Sequence, residues 1–149
     1  MKKLISFAIA LVLFAGFGAC TRNDNVKNFD ITPLGGNSAE ITNYTGKNKT
    51  VHIPRQIQGM SITVIGDMAF FNKGITEIFI PESVTSIGRM TFVGNDITSI
   101  TIGSDVILTT GGMASFGNNG FEEIYINGGK LAGTYTRPDV SRPSGWTRK

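Results

Sequence analysis

Apolar positions recur along this chain at a fixed distance. Ile75, Ile78 and Ile80 are answered 22 residues later by Ile97, Ile100 and Ile102. The last two isoleucines of each set flank one polar residue, the period of a strand. Pro81 follows the first set at the strand's end, where a missing N–H breaks no ladder. Val84 and Ile87 then form a second short apolar pair before Gly88, read as a glycine turn with positive φ. Met90 and Phe92 follow as residues that plug the interior from the far side. The second half of this unit is matched upstream by Thr63-Val64-Ile65-Gly66-Asp67-Met68-Ala69-Phe70. Val51-His52-Ile53-Pro54 supplies a further Ile-Pro corner. Phe121-Glu122-Glu123-Ile124-Tyr125-Ile126 reads as the strand of one more copy, offset by 24. One such unit cannot bury its apolar side alone, but stacked copies can. The pattern predicts a mostly β solenoid of three to four coils with short parallel strands and short helical or 3-10 turns.

The N-terminus follows other rules. Lys2 and Lys3 precede an apolar run from Leu4 to Ala19, too short to span a bilayer and bounded by polar residues. That is the form of a secretory signal, and Cys20 closes it. Residues 20–28 are polar and read as a tether, residues 29–136 as the repeat domain, and residues 137–149 as a basic tail or cap. Tyr135 and Trp146 are placed to cover the open end of the stack.

Composition sharpens this picture by exclusion. With one cysteine and one histidine in 149 residues, no disulfide framework or multi-thiolate metal site can form, and no metal or other cofactor is expected. Loss of residues 1–19 would take Lys2 and Lys3 and lower the formal charge from +3 to +1. The tail, with Arg137, Arg142, Arg148 and Lys149 against Asp139, is net +3 and the rest of the remaining chain is net −2, so no basic face for nucleic acid remains apart from a short tail. A catalytic or metal role for His52 would need a second histidine or a free thiol, which the sequence does not offer, so it reads as an outward strand residue. Glu122 and Glu123, as strand neighbours, would point to opposite faces. Gly111-Gly112 and Gly117-Asn118-Asn119-Gly120 lack the order of a phosphate loop and read as turns. No enzyme is expected.

Two resemblances add to this reading. Phe17-Gly18-Ala19-Cys20 resembles the lipobox of bacterial lipoproteins, in which the chain is cut before the cysteine and the thiol is acylated. That implies a lipid anchor at Cys20, with palmitate or a similar chain. Ile78-Phe79-Ile80-Pro81, Val84, Ile87-Gly88 and Thr91-Phe92 resemble the BspA-like, Treponema pallidum-type leucine-rich repeat. Ile65-Gly66-Asp67-Met68-Ala69-Phe70 meets that pattern again, and residues 40–54 look like the segment that leads into such arrays. Thr91 stands where the repeat has alanine. Leu108-Thr109-Thr110-Gly111 replaces Ile-Gly, and Phe116 arrives two residues late, so an irregular last copy is expected. The resemblance implies a right-handed solenoid, an outer-membrane or cell-surface location, and adhesion to a host or cell-surface protein. A periplasm-facing structural or assembly lipoprotein is the alternative. The binding face would be the outward strand residues Thr76, Glu77, Phe79, Thr98, Ser99, Thr101, Glu122, Glu123 and Tyr125, with Phe79, Thr101 and Tyr125 at one repeat position and His52 beside them.

Overall fold

The computed structural model describes residues 26–149. The expected signal segment, Cys20 and most of the tether lie outside the described residues. The last tether residues, Val26–Asn28, form a 3-10 turn.

Strands β1 (Phe29–Gly35) and β2 (Ser38–Tyr44) make an antiparallel hairpin. Its two-residue turn holds Gly36 and Asn37 at φ 57° and 60°, the left-handed pair that matches strand twist. The chain then alternates between two sheets. Strands β3 (Thr50–His52), β6 (Glu77–Phe79) and β8 (Ser99–Ile102) lie parallel in one. Strands β5 (Met60–Ile65), β7 (Ser86–Ile87) and β9 (Ile107–Leu108) extend β2 in the other, with β4 (Gln56–Ile57) folded back on β5. This alternation is a solenoid of about three turns.

Register explains why the repeat spacing works. Val51, Ile78 and Ile100 align across one sheet, and Ile65, Ile87 and Leu108 across the other, all buried. Between the sheets runs an aromatic column. Tyr44, Phe70, Phe92 and Phe116 stack with centroids 5.2, 5.1 and 4.7 Å apart. Beside it, Ala69, Thr91 and Ser115 occupy one station. Thr91 Oγ1 lies 2.9 Å from the Gly66 carbonyl and 3.0 Å from that of Gly88. Ser115 Oγ lies 2.8 Å from the Gly88 carbonyl and accepts the Thr109 N–H. The hydroxyls that depart from alanine therefore serve corner carbonyls that the core would otherwise strand.

Three expectations change here. Gly88 does not adopt a positive φ. A side chain there would sit 2.7 Å from the Asp67 nitrogen and 2.9 Å from the Gly66 carbonyl carbon, so the glycine answers a close approach between coils. Met90 is not an interior plug. Its left-handed φ of 51° turns it to the rim, and Phe92 alone fills the interior. Residues 121–126 are not a strand but helix α1 (Phe121–Asn127). The irregular last copy itself is as expected. A 3-10 turn at Gly111–Met113 absorbs the added residues before Phe116 rejoins the column.

The far end is closed by β10 (Gly133–Thr136) and β11 (Thr147–Arg148), an antiparallel hairpin laid on β8. Tyr135 and Trp146 are buried as expected of a cap, in edge contact with Phe121. Arg137, counted above with an exposed tail, is buried. Its Nε donates to the Ile97 carbonyl at 2.8 Å, and its guanidinium lies 5.0 Å from the centre of the Trp146 ring. A hairpin at each end thus pairs one edge of each sheet.

Candidate functional site

The sheet formed by β3, β6, β8 and β10 turns two rows of side chains outward. Register places Thr50, Glu77, Ser99 and Thr136 in one row, and His52, Phe79, Thr101 and Thr134 in the other. Ser99 Oγ donates to Glu77 Oε1 at 3.1 Å. The Thr101 and Thr134 hydroxyls meet at 2.9 Å. His52 and Phe79 stack at 4.0 Å with planes 7° apart. Cross-strand pairs of this kind order a sheet surface while leaving it accessible.

Of the expected face, Glu77, Phe79, Ser99 and Thr101 stand together on the strands, and His52 joins them. Thr76 and Thr98 sit one residue ahead, and their hydroxyls turn back to the Lys49 and Thr76 carbonyls. Glu122, Glu123 and Tyr125 do not belong to the face. Helix α1 removes them, and the strand position next to Thr101 goes to Thr134 of β10. The alternation of Ile124 and Ile126 suggested a strand, but Phe121 and Tyr125 also fit helical spacing, and both are buried. The Asn119 carboxamide oxygen accepts the Phe121 N–H in an Asx turn that leads into the helix, whose N-cap is Gly120. Tyr125 pins the helix to the last coil. Its hydroxyl donates to the Gly103 carbonyl at 2.7 Å and accepts the Val106 N–H, while burial raises its pKa.

Glu122 also points inward and accepts the Phe116 N–H, whereas Glu123 is exposed. Burial lifts the Glu122 carboxyl above its ordinary pKa, against the opposing Phe116 hydrogen bond. A carboxyl whose pKa is raised on folding adds stability below its unfolded value, and loses it as pH climbs through the folded one. Glu122→Gln keeps an oxygen for Phe116 and removes the buried charge. Urea unfolding at pH 7 should show the variant more stable by about 1 kcal/mol, with the gap closing toward pH 4. A destabilised variant at pH 7 would contradict this.

Beside the face lies an open groove of about 510 Å³. Ile53, Ile80 and Ile102 line it together with His52 and Phe79. Arg55 and Glu82 pair across its rim at 3.1 Å, both largely exposed. The 22-residue spacing gives no sign of this groove, because Ala132 and Gly133 line it from a segment that does not carry that spacing. Among the described residues no group of three His, Cys, Asp or Glu side chains is placed to hold a metal ion. No described helix is long and apolar enough to cross a membrane.

Comparison with family models agrees with this architecture. The model of the BspA type leucine rich repeat region matches residues 37–133 in six copies. The leucine rich repeat protein of T. pallidum is similar at 28% identity over 49% of this chain and 35% of its own, with a TM-score of 0.47. A leucine rich cell surface protein of Faecalibacterium prausnitzii gives 28% identity and the same TM-score over 52% of this chain and 22% of its own. A leucine-rich repeat protein of Bacteroides capillosus gives 24% over 53% and 64%, with a TM-score of 0.44. The chain thus spans about a third of the T. pallidum protein and less of the F. prausnitzii one. No curated protein matches.

Proposed function

Because this chain belongs to the BspA-type leucine-rich-repeat family, we propose that it is a non-catalytic binding protein displayed on a bacterial surface. Lipid on Cys20 anchors it, most naturally in the outer membrane, and the tether carries the repeat body outward. The ligand is a host or neighbouring-cell protein. The observation that carries this reading is the continuous face from His52 and Phe79 to Thr101 and Thr134, with the groove beside it. Stacked aromatics amid hydroxyls have the composition of contact surfaces, and the fixed sheet beneath them removes ordering cost. The tail cations other than Arg137 add attraction to anionic surfaces, which salt weakens.

Two acyl chains make the attachment stable, since a single chain holds a protein only reversibly. Incorporation of labelled palmitate that disappears in Cys20→Ala supports the anchor; equal labelling of the variant refutes it. For the face, binding of cells to immobilised extracellular-matrix proteins is measured. The His52→Ala/Phe79→Ala pair is expected to lower it at least tenfold with unfolding unchanged, as loss of a central aromatic contact does. Unchanged binding would remove this face from the account.

A further inference from the structure

Met68, Met90 and Met113 meet at one place although each comes from a different coil. With Asp67 and Arg89 they line a rim cleft of about 200 Å³. The backbone sets them side by side. The Met68 N–H donates to the Arg89 carbonyl at 2.9 Å, and the Met90 N–H to that of Met113 at 3.2 Å. Packing does not account for them, since Met68 and Met113 are half exposed. Local conformation does not favour them either. Met68 and Met90 hold φ at 56° and 51°, where glycine or asparagine sits with less strain. Methionine is nonetheless placed there in both coils, and a third supplies its thioether from the 3-10 turn.

The cleft's charges are already balanced. Arg89 Nε and Nη2 reach Asp67 Oδ2 at 2.8 and 2.6 Å, and the Arg89 N–H reaches Oδ1 at 2.7 Å. These contacts, the backbone N–H foremost and then the side chain, hold the Asp67 carboxyl below its ordinary pKa. Arg89 Nη1 donates to Met113 Sδ at 3.9 Å, so a sulfur lone pair faces this network.

We propose that this cleft binds a soft monovalent cation, copper(I), through the thioethers of Met68, Met90 and Met113. Neutral thioethers select soft cations over calcium, magnesium or zinc. The Asp67–Arg89 pair leaves the cleft neutral, so the soft thioethers rather than a carboxylate would hold the ion, and three flexible side chains can converge on it. Thioethers do not titrate, so binding should persist in acid, where imidazole ligands are lost. Histidine and cysteine spacing gives no sign of such a site, because its donors are neither.

The test uses the full chain carrying Cys20→Ser, which removes the competing thiol. Copper(I) is titrated without oxygen against a chromophoric chelator, and silver(I) binding is followed by native mass spectrometry. One equivalent is expected at pH 7 and at pH 5. Replacing all three methionines by leucine preserves most of the volume and should weaken binding at least tenfold. Met113→Leu alone, the mildest change, should weaken it severalfold. Arg89→Gln removes a nearby positive charge and should tighten it. Equal affinity of the triple variant and its parent would overturn the proposal. So would loss of binding at pH 5, which would point to His52. A cleft that serves only an apolar partner side chain would take up no silver, and that result would overturn it too.

Discussion

Replacing Phe92 by alanine is expected to remove about 4 kcal/mol of folding stability. The ring is buried and stacks on Phe70 at 5.1 Å and on Phe116 at 4.7 Å, so its loss opens the middle of the column. The neighbours cannot close the gap, because each is fixed by its own coil. Phe70 N donates to the Thr91 carbonyl and Phe92 N to that of Ser115, at 3.0 and 2.8 Å. A solenoid couples distant parts only through neighbouring turns. The cavity should therefore also weaken cooperation between the two ends. Urea unfolding should show a lower midpoint with a broadened or two-step transition, and Phe92→Leu should recover most of the loss. A loss below about 1 kcal/mol would mean that the column is not what holds the coils together.

The second large effect is expected at Asn95. Its carboxamide uses all four bonding positions on backbone. Oδ1 accepts the Lys73 and Ile75 N–H groups at 3.0 Å each. Nδ2 donates to the Phe70 and Phe92 carbonyls at 2.7 and 2.8 Å. Four backbone groups from two coils thus converge on one side chain. Asn95→Ala should cost about 3 kcal/mol, less than the sum of four isolated losses because the site is only partly buried and water can enter. Asn95→Asp gives a sharper reading. It keeps both acceptors but turns a second carboxylate oxygen toward two carbonyls, which raises the pKa of the new group. Folding of that variant should recover as pH falls below the carboxylate range, because protonation restores a donor. Equal stability of the aspartate variant at pH 7 and pH 4 would contradict the geometry.

Neither residue's full role is visible in the same way from the sequence. Phe92 is legible because the repeat brings it back in register with Phe70. The isoleucine ladders are legible for the same reason, since a 22-residue period fixes which positions face in. Asn95 is not, because its equivalent one coil earlier is Lys73, which reaches Asn43 Oδ1 at 3.2 Å instead. A device used once leaves no periodic trace. Gly88 was legible as a glycine but not for its reason. A close approach between coils depends on distances that only the stacked structure sets. The largest departure is at residues 121–126, where Phe121, Ile124, Tyr125 and Ile126 satisfy strand and helix spacing at once. Tertiary packing decides between them. Phe121 and Tyr125 join the aromatic cluster with Tyr135, and β10 takes the vacant edge of β8. The proposed binding face loses three expected members for that reason and gains Thr134 and Thr136.

The outward rows of the sheet formed by β3, β6, β8 and β10 are proposed to be presented at the cell surface. Thr50 and Val51 are adjacent on β3, one exposed and the other fully buried. Cysteine at each position reads the claim within one strand. Intact cells carrying Thr50→Cys or Val51→Cys are treated with a membrane-impermeant maleimide, with the unsubstituted chain as control. The account predicts labelling of Thr50→Cys on intact cells, little labelling of Val51→Cys until the protein is unfolded, and none of the control, whose own thiol is acylated. Labelling of Thr50→Cys only after lysis would contradict surface display. Equal labelling of both positions on intact cells would contradict the face.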